Sequence, residues 1–217
     1  MAPPRVRAVA PALALGLALA LALAACGAPG PAVSTDDGGP AARTADVSAG
    51  ATSGAGAAAT FDPGMLLAIP GAPSRPTGPT SDATLVRVVD GDTIRVLVDG
   101  VEERVRYIGM DTPELEMGTG ATPEPYAEAA TDANRRLLAG GRLVVERDVS
   151  ERDRYGRLLR DVWIERNGSW TLVNLALVAA GYAQVATYPP DVKYAAALRA
   201  AQRAARDAGR GLWGLAP

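Results

Sequence analysis

The sequence predicts an α+β, mainly β, protein whose folded part is a five-stranded barrel of the OB type with about three α-helices. Two observations predict this class. From residue 84 onward, five short runs rich in β-branched and apolar residues are bounded by turn signals. Three apolar helical patterns are interspersed with these runs, and each ends at a glycine. A small barrel that combines strands and helices in this way is typical of the OB fold.

The first three predicted strands form a meander. Residues 94, 96 and 98 are apolar and share one face of the second strand. Asp99-Gly100 is a two-residue hairpin signal that joins the second strand to the third, and Asn167-Gly168 marks another turn. The predicted strands cover residues 84–89, 93–98, 101–108, 142–147 and 158–166.

Apolar residues at helical spacing predict the three helices. In the first, Tyr126, Ala130, Leu137 and Leu138 are expected to face inward. The glycines that follow each pattern are suited to the position just past a helix end. The predicted helices cover residues 125–139, 171–180 and 192–208.

Residues 1–25 have the pattern of a secretory signal peptide. Arg5 and Arg7 precede an apolar run over residues 8–22, and small residues follow that run. The alternative is a transmembrane anchor, but the run is short for a hydrocarbon core of roughly 30 Å. The small residues directly after the run favour the signal peptide.

Cys26 is the only cysteine, so no intramolecular disulfide can form. The preceding Leu-Ala-Ala resembles a bacterial lipobox, in which the cysteine is lipidated and becomes the new N-terminus. We therefore expect an exported protein anchored to a cell membrane or cell surface through lipid on Cys26, with release to the outside as a further option. Simple secretion without a lipid is the alternative.

Residues 26–81 are rich in Gly, Ala, Pro, Ser and Thr and are expected to form a disordered tether, because they offer too little apolar surface to offset ordering. An apolar patch at residues 61–70 interrupts this composition. The patch either docks on the folded domain or has no role. The folded domain is expected to cover residues 82–217.

Histidine is absent from the chain, and this absence excludes several mechanisms. Ser-His-Asp hydrolysis and catalysis by histidine pairs both need an imidazole. A bound metal must instead be held by oxygen ligands, which favours Ca²⁺ or Mg²⁺ over Zn²⁺.

Three acidic residues, two of them at predicted strand ends, are candidates for metal chemistry. Asp92 and Asp111, with the backbone carbonyl of Thr112, can supply hard oxygen ligands to Ca²⁺. Glu114 follows Pro113 and would lie near the metal, where it could orient or deprotonate a water molecule. Each acid taken alone is better explained as a solvated turn residue, and only their joint occurrence favours a site.

Two arginines complete the chemistry that a phosphodiester requires. Arg106 lies in a predicted strand, and Arg157 follows a Tyr-Gly pair. Two guanidinium groups can stabilise the oxygens that gain negative charge as water attacks phosphorus. The alternatives are a cross-strand pair of Arg106 with Glu103 and a surface salt bridge of Arg157 with Asp153.

These motifs together resemble those of the thermonuclease, or staphylococcal nuclease-like, family. The shared pattern is Asp-Gly-Asp-Thr at 90–93, Arg106 with Asp-Thr-Pro-Glu at 111–114, and Asp-Arg-Tyr-Gly-Arg at 153–157. The resemblance extends over residues 83–214 and implies an OB barrel that cleaves DNA and RNA with Ca²⁺. It implies calcium ligation by Asp92, Asp111 and Thr112, action of Glu114 on water, and transition-state stabilisation by Arg106 and Arg157.

The resemblance also implies a substrate site and a product. Arg154 and Tyr155 match positions that contact the terminal phosphate of a nucleotide, and cleavage in the family leaves a 3′-phosphate. A family tyrosine near the base falls at Thr187 here, with Tyr188 next to it. The segment 116–125 is longer than in compact members, so the rim of the cleft is expected to differ.

The charge of the domain does not favour nucleic acid. Four of the 22 Lys+Arg and four of the 24 Asp+Glu precede residue 82, so residues 82–217 carry 18 basic and 20 acidic residues. Bulk attraction to a polyanion is therefore absent. A monomeric calcium-dependent nuclease is the first hypothesis. The alternatives are an OB-fold lipoprotein that binds nucleic acid without cutting it, and a structural or protein-interaction module.

Overall fold

The structure is a computed structural model that describes residues 63–115 and 122–215. The predicted signal peptide, Cys26 and the tether up to residue 62 lie outside the described residues. So does the stretch 116–121 of the longer segment noted above.

Five strands close into a barrel, as the sequence predicts. Strands are hydrogen-bonded in the order β3-β2-β1-β5-β6-β7, and a parallel pairing of β3 with β6 closes the ring. The mainly β, OB-type architecture is thus confirmed. The strands are β1 Thr80–Val88, β2 Thr93–Val98, β3 Val101–Tyr107, β4 Met110–Asp111, β5 Arg142–Glu146, β6 Leu158–Arg166, β7 Ser169–Leu172 and β8 Gln184–Val185.

The hairpin signals fix the register of the barrel. Asp99 and Gly100 both have positive φ, 51° and 79°, as a two-residue turn of this kind requires. The turn aligns β2 and β3 from Val98 opposite Val101 to Thr93 opposite Arg106. This register places Arg106 directly across from the Asp90–Thr93 turn.

Three main helices and one short helix surround the barrel. They are α1 Pro63–Leu67, α2 Ala127–Leu138, α3 Val173–Ala179 and α4 Ala195–Asp207, followed by a 3-10 helix at Gly211–Gly214. Every residue of α3 is buried. In the described part of the chain, no helix is long and apolar enough to cross a membrane.

The second predicted helix begins two residues later than expected. Thr171 and Leu172 pair with Ile164 and Trp163 as part of β7 rather than opening the helix. A continuous apolar run has no periodicity that distinguishes a strand from a helix. The boundary between β7 and α3 is therefore visible only from the cross-strand hydrogen bonds.

The predicted tether is wrong for residues 63–81: residues 63–79 pack on the barrel, and Thr80 and Ser81 belong to β1. Ile69 is 5% exposed and belongs to the core, and Met65 and Leu66 pack against it. The backbone N–H groups of Thr77 and Gly78 donate to the Glu146 carboxylate. Composition does not reveal this docking because a few apolar residues and one buried acceptor are enough to order the segment.

Candidate active site

The Asp90–Thr93 turn presents Asp92 to the chain that follows β4. The Asp92 side chain is 1% exposed, and its Oδ2 accepts a hydrogen bond from the Thr112 backbone N–H at 3.0 Å. The Thr93 hydroxyl donates to Oδ1 at 3.1 Å. Gly91 permits this approach, because a Cβ there would lie 2.6 Å from Thr112 Oγ1. The turn and the Thr112 segment are therefore in direct contact.

Arg106 joins the two predicted metal-ligating carboxylates. Its Nη1 contacts Asp92 Oδ1 and its Nη2 contacts Asp111 Oδ1. The alternative pairing of Arg106 with Glu103 does not form. Residues alternate between the two faces of a strand, so Glu103 lies on the opposite face of β3 from Arg106 and instead binds Arg152 at 2.7 Å.

Burial dominates the electrostatics of this cluster. Desolvation raises the pKa of Asp92 to about 7, and nearby Asp90 and Asp111 act in the same direction, while Arg106 opposes the rise. Desolvation also acts to lower the pKa of Arg106, but its attraction to Asp92 and Asp111 prevails and raises that pKa. The negative charges of Asp90, Asp92 and Asp111 thus outnumber the single positive charge of Arg106. A further cation beside these carboxylates would be electrostatically favoured.

The donor set of the cluster fits a hard divalent cation. Both Oδ1 atoms contact one guanidinium, and Thr112 is adjacent to Asp92. Within residues 63–115 and 122–215, no group of three or more His, Cys, Asp or Glu could hold a metal ion. A cation here would therefore need the Thr112 carbonyl and water as additional oxygen ligands, an arrangement that Ca²⁺ accepts.

Glu114 lies three residues beyond Asp111 and is partly exposed. Desolvation, followed by repulsion from Asp90, raises the pKa of its carboxyl group, while Arg106 lowers it. Its backbone N–H donates to Glu124 Oε2 at 2.9 Å, a contact that the sequence analysis missed. A carboxylate with a raised pKa next to a cation site is suited to accept a proton from water.

The loop that carries Arg157 is organised by Asp153. Asp153 Oδ1 accepts the backbone N–H groups of Tyr155 and Arg157, both at 2.9 Å. Its Oδ2 accepts from Arg157 Nε at 2.6 Å. The salt bridge considered as the alternative for Arg157 is therefore present. This salt bridge uses only the Nε atom of Arg157, and neither Nη atom of Arg157 has a hydrogen-bond partner among the described residues.

One cavity of about 460 Å³ brings the predicted arginines and the substrate residues together. Arg106 and Arg157 line it with Arg154 and Tyr155, and the Arg154 guanidinium lies 4.7 Å from the centroid of the Tyr155 ring. Tyr188 also lines the cavity and is 74% exposed. Asp92 and Asp111 do not line this cavity, but both contact Arg106, which does.

Asn134, on α2, supports the site and was missed by the sequence analysis. Its Oδ1 accepts the Tyr107 hydroxyl at 2.9 Å, and its Nδ2 donates to the Asp90 carbonyl at 3.1 Å. Asn134 is fully buried. The sequence does contain a signal for this role, because Asn134 is a polar residue on the apolar face of a predicted helix. Its partners, Tyr107 and Asp90, are distant in sequence and cannot be predicted from the helix pattern.

Comparison with known proteins places the chain in a family. Residues 104–214 match the family described as Staphylococcal nuclease homologue. The chain belongs to this family. The predicted resemblance to staphylococcal nuclease-like proteins is therefore confirmed.

Individual relatives give matches longer than the 111 residues of the family match. A thermonuclease of Staphylococcus hyicus is 36% identical over 129 residues, which are 59% of this chain and 73% of the relative. A thermonuclease of Staphylococcus intermedius is 37% identical over 127 residues, 58% of this chain and 73% of the relative. Endonuclease YncB of Bacillus subtilis (strain 168) is 36% identical over 134 residues, 61% of each protein.

Proposed function

We propose that the protein is a calcium-dependent nuclease that hydrolyses phosphodiester bonds of DNA and RNA. The observation that carries this proposal is the placement of Arg106 and Arg157 on one cavity, with Arg106 also in contact with Asp92 and Asp111. The names of the relatives, thermonuclease and endonuclease, support the same reaction class.

Asp92, Asp111 and the Thr112 carbonyl would hold the calcium ion. The Thr112 N–H bond to Asp92 fixes the spacing of these donors before any cation arrives. Bound Ca²⁺ supplies positive charge close to the phosphate oxygens that become more negative during attack. In the absence of Ca²⁺, Arg106 provides the only positive charge at the paired Oδ1 atoms in the described part of the chain.

Glu114 orients the attacking water and takes its proton. Desolvation and, after it, the neighbouring carboxylates raise the pKa of its carboxyl group, and its partial exposure leaves it accessible to water. Arg106 and Arg157 then bind the non-bridging oxygens of the phosphate as negative charge develops there. The bond between phosphorus and the 5′ oxygen breaks, the 5′ oxygen takes a proton from solvent and leaves as a hydroxyl group, and the phosphate stays on the 3′ oxygen of the upstream product.

Arg154 and Tyr155 bind the terminal phosphate of the nucleotide in the cavity. The two side chains stack, and Arg157 lies 5.5 Å from the centroid of the same Tyr155 ring, so three polar groups share one wall. Exposed Tyr188 offers a stacking surface for a base at the mouth of the cavity.

We further propose that the enzyme is exported and acts as a monomer tethered by lipid on Cys26. The export and the lipid tether rest on the sequence of residues 1–26 alone. Metabolic labelling with a radioactive fatty acid tests it: label on the unaltered chain and none on Cys26→Ser is expected. Label on neither protein would leave simple secretion as the explanation.

Calcium dependence tests the proposed reaction. The purified protein is incubated with single-stranded DNA in Ca²⁺ and in EDTA, with Asp111→Asn as the ligand variant and Asp132→Asn, an exposed change on α2, as its control. Cutting that requires Ca²⁺ and is weakened only by Asp111→Asn is expected. DNA binding without cutting in Ca²⁺ would instead support the non-catalytic OB-fold lipoprotein.

A further inference from the structure

Three arginines form a row across the outer face of the barrel. Arg87 on β1 is paired with Arg95 on β2, and Arg95 is paired with Arg104 on β3. Residues directly opposite each other on neighbouring strands point to the same face. We call Arg87, Arg95 and Arg104 the arginine row.

A β-bulge places the first member of the row on this face. The register of β1 against β2 shifts between Leu85 and Arg87, so Val86 is an extra residue in β1. Because side chains alternate along a strand, the bulge moves Arg87 from the barrel interior to the outer face. The outward position of Arg87 therefore depends on a local irregularity in β1.

The arginine row begins beside the candidate active site. Arg104 lies two residues before Arg106 on the same face of β3, a separation of about 7 Å along a strand. On the other side of β3, the parallel pairing aligns Val105 with Leu158. Arg104 and Arg157 are the residues that directly precede the two members of this pair, and Arg157 stands just before the start of β6. The row extends directly from the two proposed catalytic arginines.

The fold does not neutralise the arginine row. Glu102 binds Arg95 Nη1 at 2.9 Å, but Arg95 Nε is buried without a hydrogen-bond partner in the described residues. Arg87 and Arg104 are exposed, and neither is in an ion pair within residues 63–115 and 122–215. Like charges directly opposite on neighbouring strands are destabilising, so the row has a cost to the fold. The domain is otherwise slightly acidic, which makes this positive surface a local feature.

We propose that the arginine row binds successive backbone phosphates of the nucleic acid strand outside the cleavage centre. The inference rests on the proposed nuclease function and names the path by which a long substrate leaves the site. Guanidinium groups bind phosphate in a bidentate manner and read no base, so the row increases affinity for long strands without sequence preference. It also compensates for the acidic net charge of the domain.

The test compares long and short substrates for the double variant Arg87→Gln/Arg104→Gln. The control is Arg199→Gln/Arg203→Gln, which removes two exposed arginines from α4. For single-stranded DNA of about 30 nucleotides, longer than one OB-fold site, the row variant is expected to raise KM. Loss of two charged contacts predicts an increase of about tenfold. The kcat and the cleavage of a dinucleotide are expected to stay unchanged.

Two further measurements test the proposal: the salt dependence of kcat/KM, and the effect of removing a negative charge beside the arginine row. Removing two phosphate contacts should reduce the slope of log(kcat/KM) against log[salt] by about 1.4 for a single strand. Glu102→Gln, which frees Arg95, should lower KM for the long strand. An equal increase in KM for the long and short substrates, or an equal effect of the α4 control, would overturn the proposal.

Binding in EDTA separates this inference from the proposed reaction. If the unaltered protein cuts neither substrate, the nuclease proposal fails. Fluorescence anisotropy with the long strand still measures the contribution of the arginine row to DNA affinity. An unchanged Kd for the row variant would then overturn the inference, and a Kd about tenfold weaker would support it. The proposal would also be contradicted if the row variant bound DNA normally but no longer bound vesicles of anionic phospholipid. Thermal unfolding checks that the variant is folded, and its Tm is expected to be equal or higher.

Discussion

The guanidinium of Arg106 contacts the carboxylate of Asp92, whose side chain is 1% exposed. The buried acid therefore has a positively charged neighbour before any cation binds. In the proposed enzyme, Ca²⁺ and Arg106 are both attracted to the same oxygen, and Arg106 also has to contact the substrate. With Asp92 and Asp111 holding a cation, the Arg106 guanidinium would be available to the phosphate.

Substitution of Arg106 separates its two proposed roles. In Arg106→Gln, kcat should fall by about 10²- to 10³-fold, since one donor to the developing charge is lost. Calcium affinity should rise, because Asp92 and Asp111 lose their competing cation. Isothermal titration calorimetry with Ca²⁺ measures the second effect, with Arg135→Gln on the exposed side of α2 as control. Weaker calcium binding in Arg106→Gln would show that the guanidinium organises the ligands rather than competing with the metal.

Asn134 is expected to act as a positioning residue for the Asp90–Thr93 turn. Asn134→Ala removes the bond to the Asp90 carbonyl and leaves the buried Tyr107 hydroxyl without its partner. We expect a loss of about 1–3 kcal/mol in the free energy of unfolding, with weaker calcium binding. Tyr107→Phe is the matched control, because it removes the hydroxyl but keeps the contact with Asp90. Equal calcium affinity in both variants would contradict the positioning role.

Asp161 is expected to make the fold less stable as the pH rises. It is 1% exposed, its Oδ2 has no hydrogen-bond partner in the described residues, and burial followed by repulsion from Glu146 raises its pKa well above the usual value. A raised folded-state pKa means that the contribution to stability is complete below the unfolded-state pKa and is lost as pH rises through the folded-state pKa.

Asp161→Asn should therefore stabilise the protein, and by more at high pH than at low pH. We expect a gain of about 1 kcal/mol or more in the free energy of unfolding at about pH 8 and a smaller gain at about pH 5. Urea unfolding at the two pH values measures the difference, with Asp132→Asn on the surface as control. A pH-independent loss of stability in Asp161→Asn would exclude this account of the buried acid.

Glu146 is expected to hold residues 63–79 on the barrel. Its fully buried carboxylate contacts Lys193 and accepts from the Thr77 N–H at 2.9 Å and from Trp163 Nε1 at 2.8 Å. Burial acts to raise its pKa, but the hydrogen bonds from Lys193 and Thr77 outweigh this and lower it. The stabilisation is thus present above the unfolded-state pKa and is lost as pH falls.

Glu146→Gln should lower the free energy of unfolding by about 3–5 kcal/mol, because it leaves the Lys193 charge without its partner. Protease cleavage within residues 63–79 should become faster in this variant. Glu128→Gln, an exposed change on α2, is the control. Unchanged protease resistance of residues 63–79 would show that apolar contacts such as that of Ile69 hold the segment without the carboxylate.

Local signals in the sequence predicted much of the fold. The bounds of β2 and β6 agree with the prediction because Asp99-Gly100 and Asn167-Gly168 fix the turns beside them. Asp92 and Asp111 do contact Arg106, since the turn before β2 lies across from the end of β3. Their catalytic roles remain predictions.

What the sequence did not reveal depends on distant contacts. Residues 63–79 contact Glu146 from a distance of about 70 positions in the sequence, Asn134 contacts both Tyr107 and Asp90, and the start of α3 is set by the pairing of β7 with β6. No periodicity within one element encodes such partners. The arginine row likewise becomes visible only when the register of three strands is known.

The direct test of the central claim is single-turnover cleavage of single-stranded DNA by Glu114→Gln in saturating Ca²⁺. The proposed role in activating water predicts a fall in rate of about 10²- to 10⁴-fold, with calcium affinity, DNA affinity and Tm close to those of the unaltered protein. Glu128→Gln should cut at the unaltered rate. A Glu114→Gln variant that binds Ca²⁺ and DNA normally and still cuts at the unaltered rate would contradict the mechanism.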